Sequence, residues 1–285
     1  MKKVRELVVS KRFWKEAFLL PGCLFSLATI ALTFLDGVGF VREHKVTLFV
    51  IVLLVSFLWV VNFFVRKVYA RSVRLTINQS VVKVMVGDIF TQPMSDFKAI
   101  PFNEFFDTLV DGKVVSRYSL HGKYLLGKYP DGLSLEKLDG RMAADEGLHG
   151  NVVGSRERWV EGGKRVYYRL GSVFKDGDYF LVAFSKMNDR GEAGVSLTEY
   201  VQCLLTFWEE ADRYRQGQTV VVPLFGTGIT RYRNFYGTPQ ELVEIMIWTF
   251  EMSRVDYKTP AKVRIVIHEE LRKEINFFRL KELEK

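Results

Sequence analysis

VVVPLFGTGITR, residues 220–231, runs a continuous apolar strand into Gly226-Thr227-Gly228. A strand without polar alternation is of the kind buried on both faces. Two glycines around a small hydroxyl let the backbone approach a ligand and aim N–H groups at it, which is how diphosphates are cradled. No Gly-Lys-Ser/Thr follows, so this is not a Walker loop. Arg231 stands where the third glycine of a dinucleotide fingerprint belongs. Taken alone, the same residues also make a simple tight turn.

The neighbouring sequence supplies the rest of an α/β pattern. Ser196–Arg215 reads as a helix with a capping box, Ser196 and Glu199, and Gly217 as its stop. Thr238–Met252 reads as another, with Thr238 as cap, Pro239 at the first helical position and Glu241 closing the box. Lys262–His268 is a last strand and Glu269–Leu283 a last helix. Strand–helix alternation predicts parallel pairing with helices on the faces. Upstream, Val73–Asn78, Val81–Val86, Phe97–Phe102 and Asp178–Ser185 read as strands. Residues 107–175 read as irregular, with a short strand at Arg165–Leu170, and 128–175 as an insertion that covers a ligand, mediates assembly or is plain surface.

The 285 residues carry a net charge of +8. Residues 1–74 hold 12 basic and 4 acidic residues, and the remainder balances at 29 of each. The excess therefore flanks two apolar runs, 17–35 and 46–65, each long enough to cross a hydrocarbon core. Lys2, Lys3, Arg5, Lys11, Arg12 and Lys15 precede the first run; Arg66, Lys67, Arg71 and Arg74 follow the second. The ten-residue link Asp36–Lys45 is neutral, so both termini are expected to face the cytoplasm. The charge is a topology signal and a contact for anionic lipid, not a nucleic-acid footprint. No charged residue lies inside either run, which argues against a transporter. Two cysteines exclude a disulfide scaffold and a Cys-rich zinc site. The expected organisation is 1–74 as a basic, two-span segment and 75–285 as a cytoplasmic domain.

Other strand ends offer polar groups. VGDIF (86–90) places Asp88 at a carboxyl end, where ligands bind in open α/β sheets and a carboxylate can accept from an exocyclic amine such as that of adenine. Gly-Asp after a strand is equally an ordinary turn. PFNEFFD (101–107) delivers Asn103, which can bind a ribose hydroxyl or cap the local backbone. SLHGKY (119–124) brings His121 and Gly122; His121 is an acid–base candidate or polar surface.

Together, Gly87-Asp88-Ile89 after a strand, an apolar strand ending in Asn103, and PLFGTGI before a helix resemble the macro domain. With the two-helix N-terminus and PFNEFFDTLVDGKVVSRYSLHGKY, the whole chain resembles the membrane-anchored macro-domain effectors of bacterial Thoeris anti-phage systems. The resemblance implies a three-layer α/β/α fold with a mixed sheet, preceded by a transmembrane helical hairpin. It implies an ADP-ribose-type ligand, with Asp88 and Ile89 at the adenine, Asn103 at the distal ribose and His121 and Gly122 in the first phosphate-facing loop. Gly226, Thr227, Gly228 and Ile229 would wrap the diphosphate, and His268 would lie against adenine. It further implies a TIR-domain partner that makes the signal, homo-oligomerisation on activation, disruption of the inner membrane, and no catalytic cofactor or metal. The usual Asn-Ala-Ala-Asn run is replaced by Asn103-Glu104-Phe105-Phe106 and the glycine-rich first loop by Ser119-Leu120-His121-Gly122. Those replacements favour a non-enzymatic sensor; the alternative is a membrane-tethered hydrolase of ADP-ribose derivatives using Asn103 or His121.

Overall fold

A computed structural model describes residues 2–284 apart from Asp36, Asn78, Trp159, Val160, Asp189, Ile229 and 254–261. The chain divides into two units: Met1–Arg71 with Asn276–Glu282, and Ser72–Ile275 with Leu283–Lys285.

In the first unit, a short helix α1 (Lys2–Val9) precedes α2 (Lys11–Phe34) and α3 (Gly39–Val68). Ser10 separates the first two and accepts from the Phe13 amide at 3.3 Å, capping α2. The ten-residue link expected between the spans is shorter in the structure. Arg42, Glu43 and Lys45 are good helix formers and extend α3 back to Gly39. Both α2 and α3 are long and apolar enough to cross a membrane. At their charged end Leu7, Phe13 and Ala17 are buried against Phe63, Phe64 and Val68. Glu16 pairs there with Arg12 at 2.8 Å and Lys67 at 3.4 Å.

The second unit opens with β1 (Ser72–Ile77), β2 (Ser80–Val86) and β3 (Phe97–Asn103). Next come α4 (Leu120–Lys128), α5 (Gly132–Ala143), α6 (Glu146–His149), β4 (Val152–Ser155), β5 (Val166–Tyr168), β6 (Val173–Asp176) and β7 (Tyr179–Met187). It continues with β8 (Ala193–Ser196), α7 (Leu197–Arg215), β9 (Val220–Pro223), β10 (Arg231–Arg233), α8 (Pro239–Met252) and β11 (Lys262–Ile267). The main sheet runs β1-β2-β11-β9-β3-β7-β8-β10, with β6 also on β7. Its centre, β2 through β7, is parallel; β1 pairs antiparallel with β2, β6 and β8 pair antiparallel with β7, and β10 lies parallel to β8.

Burial on both faces explains the unbroken apolar strands. Successive side chains of β7 serve opposite layers. Leu181 and Ala183 join Tyr124 and Leu125 of α4, Leu138 and Met142 of α5 and Leu148 of α6 in one core. Phe180 and Phe184 point the other way, to Tyr214 and Tyr200 of α7. Behind α7 lies α8, tied by the Trp208 indole N–H donating to Thr249 at 3.2 Å. Both expected capping boxes form, at Ser196/Glu199 and Thr238/Glu241.

Two expectations need correction. Residues 107–175 are irregular only in part: 108–119 carry neither helix nor strand, and β5 falls within the expected strand 165–170. The stretch holds three helices and strands β4 to β6, and the insertion is built into the domain. Buried Asp176 accepts from Tyr124, Tyr129 and Arg141 and pairs with Lys128 at 3.0 Å, tying α4 and α5 to β6. Burial opposes its charge, but these donors prevail and hold its pKa down to about 2. The last helix is also not continuous. A 3₁₀ turn covers Glu269–Glu274 and Ile275 is extended. Asn276 then accepts from the Arg279 amide at 3.2 Å and caps a separate α9 (Phe277–Leu280).

Candidate functional site

Because β2, β11, β9, β3 and β7 are parallel, their carboxyl ends meet at one edge of the sheet. A cavity of about 510 Å³ opens there. The ends of β3 and β7, the loop 112–119, the first turn of α4, the stretch 223–231 and the segment after β11 line it. That size suits a small organic ligand. A second, more open cavity of about 740 Å³ shares Gly112, Lys113 and Gly191 with it.

Gly226, Thr227 and Gly228 all line the first cavity, and Ile229 lies outside the described residues. Gly226 has φ +84°, in the region glycine alone adopts readily. Its carbonyl accepts from the Tyr232 hydroxyl at 2.6 Å, and a Cβ at Gly226 would stand 2.2 Å from that hydroxyl oxygen. Thr227 donates to the Leu224 carbonyl at 2.8 Å, closing the turn. A Cβ at Gly228 would meet nothing within 4 Å, so this side of the loop is open. The tight turn that the sequence offered is formed, and it opens onto the cavity.

Asn103 also reaches the cavity, but its side chain is occupied. Its oxygen accepts from the Phe105 and Asp107 amides at 3.1 and 3.3 Å, and its nitrogen donates to Asp107 Oδ2 at 2.8 Å. It caps the local backbone, the other role open to it in the sequence. The turn it caps is strained: Phe106 adopts φ +49°, which a bulky residue does at a cost of about 1–2 kcal/mol. Three basic residues of the insertion hold it. Arg158 pairs with fully buried Asp107 at 2.8 Å, Lys164 donates to the Phe106 carbonyl at 2.7 Å, and Arg156 reaches Glu104 at 2.9 Å. Burial pushes the Glu104 carboxyl up, against donation from the Met187 amide and the Arg156 charge.

His121 lines the cavity yet is buried, its ring centroid 3.5 Å from that of Phe102 and its Nε2 2.8 Å from the Asp107 carbonyl oxygen. Burial pulls its pKa down to about 3, so the ring is neutral at physiological pH. Unfolded, it titrates near 6.5. Between those values the unfolded chain binds the extra proton, so stability falls as pH falls. From pH 6.5 to 5 the full chain should lose about 2 kcal/mol more than His121→Asn does, read by thermal unfolding in detergent. Equal losses would contradict the buried neutral ring.

Gly122 itself is not among the residues that line the cavity. Its amide donates to Ser119, the cap of α4, at 3.0 Å. Its Cα packs on the preceding loop: a Cβ would lie 2.2 Å from the Ser116 carbonyl oxygen and 2.9 Å from the Arg117 Cα. Gly122→Ala should therefore cost about 1–3 kcal/mol and displace the start of α4, lowering both melting temperature and nucleotide affinity. A melting temperature unchanged from wild type would contradict this packing. The neighbours Ser119, Leu120 and Lys123 do line the cavity.

Asp88 and Ile89 stand outside the lining. Ile89 is buried in the core; Asp88 is exposed, its carboxylate accepting from the Phe90 amide at 2.9 Å. Register places them beside the rim nonetheless, since the Gly87 amide donates to the Ile267 carbonyl at 2.9 Å, one residue before His268. His268 lines the cavity with its side chain largely exposed.

Sequence reasoning missed Lys113, Lys123 and Arg231, which bring positive charge to the lining, and Tyr232, which pins the Gly226 loop. The register of α4 places Lys123, the pairing of β10 with β8 places Arg231 and Tyr232, and Lys113 comes from the loop before α4. Among the described residues, no group of three or more His, Cys, Asp or Glu is placed to hold a metal ion.

A glycine-lined cavity at the carboxyl ends of a mixed, helix-covered sheet, in a chain that begins with two membrane-length helices, defines a macro domain with an N-terminal helical hairpin. Residues 82–268 match the family model "Thoeris protein ThsA, Macro domain". Over 288 aligned positions the chain is 36% identical to the Thoeris protein ThsA of Bacillus amyloliquefaciens strain Y2, covering all of this chain and 94% of that one. The chain belongs to the Thoeris ThsA macro-domain family. Solved structures similar to it include an Oceanobacillus iheyensis macrodomain mutant with ADPR, at 16% identity and TM-score 0.46 over 74% of this chain and 98% of that one. The same macrodomain with MES bound has TM-score 0.43 at 16% identity, over 74% and 96%.

Proposed function

We propose that this chain is a non-enzymatic receptor and effector of anti-phage defence. Its macro domain binds an ADP-ribose-derived nucleotide made by a TIR-domain partner, the protein self-associates, and the paired α2–α3 helices disrupt the inner membrane. Both termini are cytoplasmic, and the basic collar around the helices contacts anionic lipid. The signal need only bind the assembled state more tightly than the monomer to shift the population.

The observation that carries this reading is the state of Asn103. Its amide is spent on the backbone and on Asp107, and His121 is buried beside it and neutral. Asn103 is held by the backbone and Asp107 and buried His121 is a weak base, so both are poor candidates to activate water, while the Gly226–Gly228 loop faces an open cavity. Binding without turnover is what such a site supports. The adenine would lie at the β2–β11 end, near Asp88 and His268, the diphosphate against 226–228 and the Ser119-capped start of α4, and the distal ribose toward Asn103. Lys113 and Lys123 balance phosphate charge, while Arg231 is paired with Glu192 at 2.6 Å.

Calorimetry of the full chain in detergent micelles with ADP-ribose tests this directly. Saturable binding, with the nucleotide recovered intact by mass spectrometry, is expected. Consumption of the nucleotide would replace the receptor with the hydrolase.

A further inference from the structure

We propose that α1 is an interfacial helix: it lies in the headgroup layer of an anionic membrane at the charged end of the hairpin, with Val4 and Val8 toward the acyl chains. This rests on α2 and α3 spanning that membrane, and it concerns the first unit alone. The sequence divides α1 into two faces. Lys3, Glu6 and Leu7 lie three and four positions apart and share one of them. Leu7 is fully buried with Phe13, Ala17 and Phe278. The Lys3 ammonium sits 5.7 Å from the Phe277 ring centroid, and Glu6 accepts from Asn276 at 3.1 Å. Val4 and Val8, four positions apart, share the opposite face and are 38% and 44% exposed. Trp14 of α2 carries the apolar strip on. Its indole N–H donates to the Val8 carbonyl at 2.7 Å, satisfying a group that the end of α1 leaves open, and its ring stacks on Phe18 at 5.5 Å. The strip therefore leads from α1 into the apolar run at 17–35.

Depth and charge name the occupant of this face. Trp14 stands one turn before the first apolar run, the level at which an indole with one wet and one apolar side settles in a bilayer. Its bond to Val8 fixes the end of α1 at the same level. The charges that remain outward are cationic: Arg5, Lys11 and Lys15 are exposed. Both acids of residues 1–16 are engaged, Glu6 by Asn276 and Glu16 by Arg12 and Lys67. The three cations outweigh Glu282, which accepts from Ser10 at 3.3 Å. An apolar strip flanked by cations complements anionic headgroups over acyl chains. The 8 residues of α1 do not hold a helix in water unaided. Packing on the base of the hairpin holds one face, and lipid covers the other.

Spin labels on the full chain, in vesicles of phosphatidylcholine and phosphatidylglycerol, test this. Cys23→Ser removes the exposed thiol, and Cys203 is buried and stays unlabelled. Labels at Val8→Cys and at Leu54→Cys, an exposed position in the middle of α3, should both be reached by dissolved oxygen and shielded from a water-soluble nickel complex. The first should lie about 5–10 Å below the headgroup surface and the second deeper. A label at Arg5→Cys should be open to the nickel complex. In phosphatidylcholine alone the label at 8 should move toward water, because the cations lose their partners. A label at 8 as open to nickel as the one at 5, with the label at 54 shielded, overturns the placement of α1 and leaves the spanning helices intact. A label at 8 shielded from both reagents means that protein covers this face, and overturns it as well. Equal depth in both lipids overturns the anionic contact. A label at 54 open to nickel refutes the spanning reading, and the placement of α1 with it.

Discussion

Gly226→Glu is expected to abolish nucleotide binding, with affinity falling more than about 100-fold, a loss of about 2.7 kcal/mol or more. Three effects combine at one backbone position. A side chain at φ +84° costs about 1–2 kcal/mol. The new Cβ would fall 2.2 Å from the Tyr232 hydroxyl oxygen, so the bond that pins the loop is displaced, at about 1 kcal/mol. A carboxylate then projects toward the cradle assigned to a diphosphate. Calorimetry on the full chain reads the result, with melting temperature as the control for folding. Tyr232→Phe removes only the pin and should weaken binding far less, since the glycine keeps its conformation. Retained affinity in Gly226→Glu would mean that the nucleotide lies elsewhere.

Arg158→Met is expected to destabilise the domain by about 3–5 kcal/mol, because it strands a buried carboxylate. Asp107 is 1% exposed and would keep as hydrogen-bond partners the Asn103 amide and the Lys164 backbone N–H, with the Lys164 ammonium as its remaining nearby charge. The lost group also stacks over Phe105, 4.0 Å from its ring centroid. For a domain of this size the melting temperature should drop by about 10 °C. The double variant Asp107→Leu/Arg158→Met should be less damaged than Arg158→Met alone, because no unpaired charge remains. A double variant as unstable as the sum of the two singles would contradict this account of the pair. Affinity should fall along with stability in Arg158→Met, since the same carboxylate fixes cavity-lining Asn103 and its turn, where the distal ribose is proposed to lie.

The sheet was legible where local chemistry and burial agree. Val220–Leu224 and Asp178–Ser185 are apolar on both faces because helices cover both, and the capping boxes of α7 and α8 name their own first turns. The middle of the domain was not. In α4, Leu120–Lys128, two glycines interrupt an undistinguished helical pattern, and its stability comes from Tyr124 and Leu125 in the core and from Asp176, 52 positions after Tyr124. Glu269–Glu274 has helical composition, but three apolar side chains at 277, 278 and 280 require a new turn that Asn276 starts. In the site, Gly226-Thr227-Gly228 could be read because backbone freedom is written locally. Asn103 was ambiguous because its fate depends on Asp107 and hence on Arg158, 51 positions further along. The need for glycine at 122 was not legible, because the close approach of Ser116 and Arg117 is set by how the preceding loop folds back on α4.

The central claim is that the macro domain holds an ADP-ribose-derived nucleotide without consuming it. Native mass spectrometry of the full chain, purified in detergent from cells expressing an active TIR-domain partner, tests this most directly. The expected spectrum carries one intact ADP-ribose-derived nucleotide per chain, absent from Gly226→Glu. A wild-type spectrum with no added nucleotide, or with hydrolysed fragments alone, would contradict it.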